Sequence, residues 1–156
     1  MISKCIMVKS IAVSLNRPRF CSSATWSSSA ITFADNSTVG DVPNAIFVNT
    51  NDSVIALNTQ SRLIIIWLNG TNNSKVQNIT GSTNPRSLFI GANNALYVNN
   101  DNKGVSRWIE NISENLLTGE VCFDLFIDDT NNSLYCSLKF QHKVIKRSLN
   151  SSDDQV

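Results

Sequence analysis

The sequence predicts an all-β fold, a partial β-propeller of four-stranded antiparallel blades that repeat about every 40 residues. Three tryptophans stand at equal spacing, since 67 − 26 = 41 and 108 − 67 = 41. Short apolar segments rich in Val, Ile, Phe, Tyr and Trp recur in the same order within each period, and Asn, Asp, Ser and Gly separate them. This alternation of strand-forming and turn-forming residues indicates strands joined by tight turns.

The first two strands of each unit are predicted from a phenylalanine and an apolar run that follows it. The phenylalanine stands four residues after a proline or cysteine, in the pairs Pro43 and Phe47, Pro85 and Phe89, and Cys122 and Phe126. The apolar runs cover residues 54–56, 96–98 and 134–136. The residues between them are mostly Asn and Asp, which tolerate left-handed backbone, so we expect hairpins at 49–52, 91–94 and 128–132.

The third strand ends at Trp67, at Trp108 and, in the last unit, at Arg147, and a weaker fourth strand is expected near residues 75–80 and 114–118. Residues 112–117 are the best helix candidate, yet they fall where a fourth strand belongs. The run 63–68 is too short to cross a bilayer, which takes about 20 residues, and indicates a strand buried on both faces. Because aromatic residues recur at equivalent blade positions, we expect them in the core rather than as binding anchors: Trp26, Phe47, Trp67, Phe89, Tyr97, Trp108, Phe126 and Tyr135.

These segments predict a chain organised as successive blades. Residues 1–24 form a poorly defined N-terminal segment, 25–41 the last strands of a preceding blade, 42–82 and 83–121 two complete blades, 122–150 a partial blade, and 151–156 a polar tail. About three blades cannot close a ring by themselves. We therefore expect either further blades of a longer chain or self-association, because an exposed blade edge invites pairing with another chain.

Composition favours an extracellular or ectodomain setting, with a cytoplasmic setting as the alternative. The net charge is +1, and Asn and Ser replace much of the usual charge. Asn-x-Ser/Thr acceptor sequences for N-glycosylation occur at Asn36, Asn51, Asn69, Asn72, Asn78, Asn111, Asn131 and Asn150. The same residues are also the ordinary turn residues of a β-rich chain.

The four cysteines match no metal-binding spacing, and the chain has one histidine, so no metal site is predicted. Cys122 and Cys136 lie on the two strands of one predicted hairpin. A simple turn centred at 129–132 pairs Leu125 with Cys136, which places Cys122 too far along for an ideal bridge. An extra residue in this hairpin allows a bulge that would shift the register, so a disulfide and two buried thiols both stay open.

The repeat resembles the NHL repeat over residues 25–149, most closely in PNAIFVNTNDSVIAL and PRSLFIGANNALYVNN. The resemblance implies a six-bladed propeller. Such propellers are substrate- or RNA-binding domains of RING-type ubiquitin ligases and sensor domains of bacterial receptor kinases, and a related propeller catalyses amidoglycolate lysis. The second strand of the family's repeat usually ends in Asp, where this chain has Asn58, Asn99 and Ser137 or Leu138; Asn can still bond the turn.

No catalytic constellation is evident in the sequence, so we predict no enzyme activity and no cofactor. His142 has no histidine partner, and the amidating lyase needs a histidine-rich metal site; a surface histidine is the favoured interpretation. The cluster at 128–132 offers oxygen ligands for calcium, but turn formation explains it fully. A basic cluster holds Lys139, His142, Lys143, Lys146 and Arg147. Strand alternation places Lys143 and Arg147 opposite His142 and Lys146, which disfavours nucleic-acid binding.

The predicted function is therefore a non-enzymatic binding scaffold that presents loops to a protein or glycan partner. The loops at 69–74 and 99–104 are candidates for specificity. The alternative is the substrate-recognition propeller of an NHL-type ubiquitin ligase, with RNA binding as a weaker option. Occupied glycans or an oxidised Cys122–Cys136 pair would favour the first prediction, and thiols with an upstream zinc domain would favour the second.

Overall fold

The computed structural model describes residues 25–49, 52–68, 74–78, 84–91, 94–100, 104–109 and 112–150. These residues form three antiparallel sheets in which each strand pairs with the next along the chain. The first sheet contains β1 (Pro43–Val48), β2 (Val54–Asn58), β3 (Leu63–Trp67) and β4 (Ser74–Asn78). The second contains β5 (Pro85–Ile90), β6 (Leu96–Asn100), β7 (Val105–Ile109) and β8 (Ile112–Leu117). The third contains β9 (Asp124–Asp128), β10 (Ser133–Leu138) and β11 (Lys143–Ser148).

The sheets are arranged as the blades of a propeller. Strand β5 lies between β1 and β9, so the first strand of every sheet packs beside the first strand of the next. The equivalent phenylalanines of these strands meet edge to face, with ring centroids 5.1 Å apart for Phe47 and Phe89 and 5.2 Å apart for Phe89 and Phe126. The prediction of an all-β partial propeller is therefore confirmed, and residues 112–117 are a strand rather than a helix.

Each blade has two faces, because successive residues of a strand point to opposite sides. On one side of the first sheet Phe47 lies opposite Ile55, which lies opposite Ile66. On the other side Ile46 lies opposite Ala56, which lies opposite Ile65. We call the side with the phenylalanine of the first strand the downstream face, since it looks toward the following blade, and the other side the upstream face.

One core joins the three blades. The downstream face of the first sheet contributes Phe47, Ile55, Leu57 and Ile64, and the upstream face of the third contributes Leu125, Ile127, Leu134, Cys136 and Leu138. The second sheet lies between them and contributes both of its faces, with Tyr97 on the downstream face and Val98 on the upstream face. A smaller cluster of Ala56, Ile65 and Trp67 lies on the upstream face of the first sheet. Burial of this apolar surface is the main stabilising contribution.

Residues 25–42 do not form the predicted last strands of a preceding blade. They contain only one short helix, α1 (Asn36–Val39), which begins at Asp35, whose carboxylate accepts the backbone N–H of Ser37 at 3.1 Å. A strand requires a neighbouring strand for its backbone hydrogen bonds, and the described residues offer none on this side. Residues 1–24 and the tail 151–156 lie outside the described residues.

The three sheets form a row of blades, which we call the arc. Three of the side chains predicted to lie in the core are exposed or only half-buried at the two ends of this arc. Phe47, Trp67, Phe89, Tyr97 and Trp108 are buried, whereas Trp26 is 73% exposed. In the last blade Phe126 is exposed and Tyr135 is half-buried. These three side chains need an adjacent blade to cover them, and the described residues place no blade beside them.

Cys122 and Cys136 are joined in a disulfide, with Cα atoms 5.5 Å apart. The β9–β10 register runs without a shift and pairs Leu125 with Cys136, as expected for the simple turn, so the disulfide forms without the bulge that the sequence allows. Instead the chain bends at Phe123, just before β9 begins, and this bend brings Cys122 back to the sheet. Within the described part of the chain no helix is long and apolar enough to span a membrane.

Candidate functional site

Three equivalent hairpins lie at one end of the arc. Strands β1, β5 and β9 run side by side with their phenylalanines in register, so the loops that follow them emerge at the same end. Among the described residues of these loops, one in each is left-handed, with φ of 57° at Asp52, 57° at Asn94 and 44° at Asn132. We call this end the hairpin surface, which comprises Asn49, Asp52, Gly91, Asn94, Asp128, Asp129, Thr130, Asn131 and Asn132.

The third hairpin is held by the carboxylate of Asp128. Its Oδ1 accepts hydrogen bonds from the backbone N–H of Thr130 at 3.1 Å, from the Thr130 hydroxyl at 2.5 Å and from the backbone N–H of Asn131 at 3.2 Å. Its Oδ2 accepts from the Asn131 amide at 2.7 Å. These bonds, led by those from the side chains of Thr130 and Asn131, hold the pKa of Asp128 below its ordinary value. The loop is therefore ordered before any ligand arrives.

The second hairpin contacts the third. A Cβ atom on Gly91 would lie 2.8 Å from Oδ1 of Asp129 and 3.0 Å from the ring of Tyr97, so the backbone at Gly91 passes close to the next hairpin. Beneath this contact, burial raises the pKa of Tyr97, and a hydrogen bond with Arg107 opposes that rise. Arg107 is in turn paired with Glu114 at 2.5 Å. The second and third hairpins thus form one continuous surface on a packed base.

The first hairpin closes through Asn49. Its backbone N–H donates to the carbonyl of Ser53 at 3.0 Å, and its side-chain oxygen accepts the N–H of Ser53 at 2.9 Å. The side chains of the hairpin surface are carboxylates, amides and one hydroxyl, without lysine or arginine. Such a surface accepts hydrogen bonds from hydroxyl, amide and ammonium groups.

Two clefts lie away from the hairpin surface, one at each end of the row of blades. The first, of about 360 Å³, is apolar and lies on the upstream face of the first sheet, where Phe33 and Val39 border Val54, Ile46 and Trp67. The ring of Phe33 meets that of Trp67 edge to face at 5.4 Å.

The second cleft, of about 450 Å³, lies on the third sheet between Phe123, Ser137, Lys139, His142 and Val144. Two cations lie close to the ring of Phe123, with the Arg86 guanidinium 5.0 Å and the Lys139 ammonium 4.6 Å from its centroid. Sequence reasoning missed this arrangement, because Arg86 belongs to the second blade and Phe123 to the third, and no local pattern links them.

The cations of β11 are divided between its two faces as predicted, whereas His142 precedes the strand and lies on neither face. Lys143 and Arg147 pair with Leu138 and Leu134 on the upstream side of β10, whereas Lys146 pairs with Tyr135 on the downstream side, 5.6 Å from its ring centroid. His142 is exposed and ends the 3-10 helix Lys139–Gln141 with φ 53°. Within the described ranges, no group of three His, Cys, Asp or Glu residues is placed to hold a metal ion.

The polar residues that end the second strands tie neighbouring segments together. Asn58 donates to the carbonyl of Val39 at 2.6 Å and accepts from the N–H of Ser61 at 2.8 Å. Asn99 donates to the carbonyl of Cys122 in the next blade. At these strand ends the Asn side chains therefore hydrogen-bond the following turn, a neighbouring segment of the chain, or both. In the third blade Ser137 accepts from the N–H of Asp124 at 3.0 Å.

The other predicted sites are described only in part. Among the candidate glycosylation sites Asn36, Asn131 and Asn150 are exposed, and Asn78 lies in β4. The remaining four, Asn51, Asn69, Asn72 and Asn111, lie outside the described residues, as do residues 69–73 and 101–103 of the two candidate specificity loops.

Comparison with known proteins reveals fold neighbours only. No family model and no curated protein matches the chain, so membership of the NHL family stays a prediction. Among solved structures, virginiamycin B lyase from Staphylococcus aureus aligns with TM-score 0.46 and 13% identity over 70% of this chain and 42% of that chain. A streptogramin B lyase aligns with TM-score 0.45 and 11% identity over 70% of this chain and 41% of that chain. The chain thus spans about two fifths of their length, and its fold assignment depends on its own sheets.

Proposed function

We propose that the chain is a non-enzymatic binding scaffold of the propeller type, whose hairpin surface holds a partner rich in hydrogen-bond donors, a polar protein loop or a glycan. The observation that carries this proposal is the alignment of three equivalent hairpins at one end, with Gly91 packed against Asp129. Loops on a rigid scaffold are a common place for binding sites.

The geometry of the hairpins supports binding in two ways. The hydrogen bonds of Asp128 and Asn49 already order their loops, which reduces the entropy lost when a ligand binds. The carboxylates of Asp52 and Asp129 add charge to the acceptor surface, and hydrogen bonds to charged groups contribute about 1.5–3 kcal/mol each. An extracellular setting, which the glycosylation sequences favour, is part of the proposal.

The test starts from two arrays, one of immobilised oligosaccharides and one of recombinant ectodomains. We expect at least one ligand, whose affinity is then measured by biolayer interferometry. Replacing both carboxylates, Asp52→Asn with Asp129→Asn, should weaken binding at least tenfold. Asp41→Asn is the control for loss of a single carboxylate, because Asp41 lies just before β1 begins, at the opposite end of the sheet; the affinity of this variant should equal that of the original chain.

Two outcomes would contradict the proposal: no ligand on either array, or a ligand whose affinity ignores the double substitution. The alternative of a substrate-recognition propeller in a ubiquitin ligase predicts ligands from an array of cytoplasmic proteins instead. Running that third array in parallel separates the two candidate functions.

A further inference from the structure

The two outer faces of the arc expose side chains that are buried elsewhere in the same repeat. Ile46, Leu88 and Leu125 occupy equivalent positions, each directly before the phenylalanine of its blade. Leu88 and Leu125 are 6% and 7% exposed because a preceding blade covers them, whereas Ile46 in the first blade is 68% exposed. Val76, on the same upstream face, is also exposed.

The opposite end shows the reverse pattern. Phe47 and Phe89 are 2% and 4% exposed, whereas their equivalent Phe126 is 52% exposed on the downstream face of the third blade. Val144 shares that face and is exposed as well. Each end of the arc thus carries one half of the contact that joins neighbouring blades within the chain.

These halves are complementary. Inside the arc, the downstream face of one blade packs against the upstream face of the next at both junctions, with equivalent phenylalanines edge to face. The exposed downstream face with Phe126 and the exposed upstream face with Ile46 are the same two kinds of surface. We propose that a second copy of this chain docks head to tail, so that Phe126 of each copy packs against the upstream face of the other, where Ile46 is exposed.

Two copies supply a number of blades that fits a closed ring. A head-to-tail contact either closes or grows into a filament, and it closes when the rotation per copy fits. Three blades from each copy make six, which lies within the usual range of propellers, whereas three copies would make nine and exceed it. The cleft beside Trp67 lies on the upstream face that this contact covers, and the cleft beside Phe123 includes Ser137 and Val144 of the downstream face.

The same arrangement supplies a fourth strand to the third sheet. Strand β4 begins 85 − 74 = 11 residues before β5, and β8 begins 124 − 112 = 12 residues before β9. Counting back equally from Pro43 gives Ile31 and Thr32, and Ile31 is fully exposed in a segment without strand pairing. Strand β11 is the outermost strand of its sheet among the described residues. In the ring, residues 31–34 of one copy lie beside β11 of the other and pair with it.

Sedimentation velocity on the full chain tests the proposal. The expected mass is 2 × 17.2 = 34.4 kDa. Ile46→Asp and Phe126→Asp should each give a monomer, since either places a carboxylate in an apolar contact. Ile112→Asp is the matched control, because Ile112 is equally exposed but lies on the outer strand of the middle blade, away from both end faces. Equal circular dichroism spectra establish that all variants fold.

Mixing the two monomeric variants gives the decisive result. In a head-to-tail pair of Ile46→Asp with Phe126→Asp, both substitutions fall in one contact and the other contact is intact, so the mixture should recover the 34.4 kDa species. A monomeric original chain, a dimer indifferent to both substitutions, or a mixture that stays monomeric would overturn the proposal. Hydrogen exchange should be slower for β11 in the dimer than in Phe126→Asp, and equal rates would overturn the strand pairing. The hairpin surface is not involved, so this result is independent of the proposed ligand binding.

Discussion

Among the glycines of the described ranges, Gly104 is the one at which an added Cβ atom would approach its neighbours most closely. It precedes β7 with φ of 79°, and a Cβ there would overlap the carbonyl oxygen of Leu117 at the end of β8. Gly119 has nearly the same φ, 78°, but its Cβ would meet nothing within 4 Å. Substitutions at the two positions can therefore be compared. The comparison separates the free-energy cost of left-handed backbone from the cost of a clash with backbone atoms.

We predict that Gly119→Ala lowers the free energy of unfolding by about 1–2 kcal/mol, the cost of a left-handed residue with a Cβ. Gly104→Ala should cost clearly more, because the backbone of Leu117 must also move. Urea denaturation followed by tryptophan fluorescence measures both. Equal losses at the two glycines would show that the Leu117 carbonyl adjusts without strain.

Asp128 predicts a specific dependence on pH. Its hydrogen bonds to Thr130 and Asn131 lower its pKa from the ordinary 3.8, so the folded state favours the charged form. This contribution is present above pH 3.8 and is lost as the pH falls through the lower pKa of the folded state. Asp128→Asn should therefore melt at a lower temperature than the original chain at neutral pH, and the difference should narrow in acid. A difference that is constant across this range would contradict the assignment.

The burial of individual side chains was predicted correctly wherever a neighbouring blade among the described residues covers them. Phe47, Trp67, Phe89, Tyr97 and Trp108 recur at equivalent positions and are buried. The same pattern placed Trp26, Phe126 and Tyr135 in the core, but burial depends on what lies across the face, and periodicity does not report that.

At the scale of elements, the local sequence predicted the positions of most strands and turns. Between the first two strands of each blade, Asp52, Asn94 and Asn132 adopt the left-handed backbone expected of Asn and Asp in turns. Residues 112–117 have helix-compatible composition, yet they pair with β7 because the antiparallel edge satisfies their backbone. The sequence of residues 25–41 predicts strands, but the structure has none there. Strand formation therefore depends on a pairing strand as much as on the strand's own sequence.

The Cys122–Cys136 disulfide links the segment that precedes β9 to β10, the middle strand of the third blade. It closes a loop with a sequence separation of 14, for which chain-entropy models give about 3 kcal/mol of stabilisation. We predict that dithiothreitol lowers the melting temperature of the original chain. The Cys122→Ser and Cys136→Ser double variant should melt at that lower temperature with or without reductant. An unchanged melt of the original chain under reduction would contradict a stabilising bridge.

At the scale of the whole molecule, the shared core argues against independent blades. Leu57 in the first sheet and Leu134 in the third are both fully buried in the same cluster, with the second sheet between them. A loss of packing in the first or the third sheet therefore also destabilises the second sheet.

We predict that Leu57→Ala and Leu134→Ala each lower the stability of one common transition by about 2–5 kcal/mol, the usual cost of such a cavity. Circular dichroism and tryptophan fluorescence should give the same midpoint for each variant. Ile109→Ala, on a partly exposed side chain of the second sheet, is the control and should cost much less. Two separate transitions in either variant would show that the blades unfold independently.

The hairpin surface, which is the proposed binding site, was the least predictable feature of the whole molecule. The hairpin surface combines loops more than 35 residues apart, since 128 − 91 = 37 and 91 − 49 = 42. Composition identified the turns, but only the packing of β5 between β1 and β9 places them together.

The edge-to-face series of Phe47, Phe89 and Phe126 has a consequence for how such a chain can change in evolution. Every junction uses the same residue positions, so a duplicated copy of the middle unit, inserted in the gene, would meet on both sides the surfaces it already fits. Growth or loss of a unit therefore requires no new interface, and unit number can vary by recombination alone.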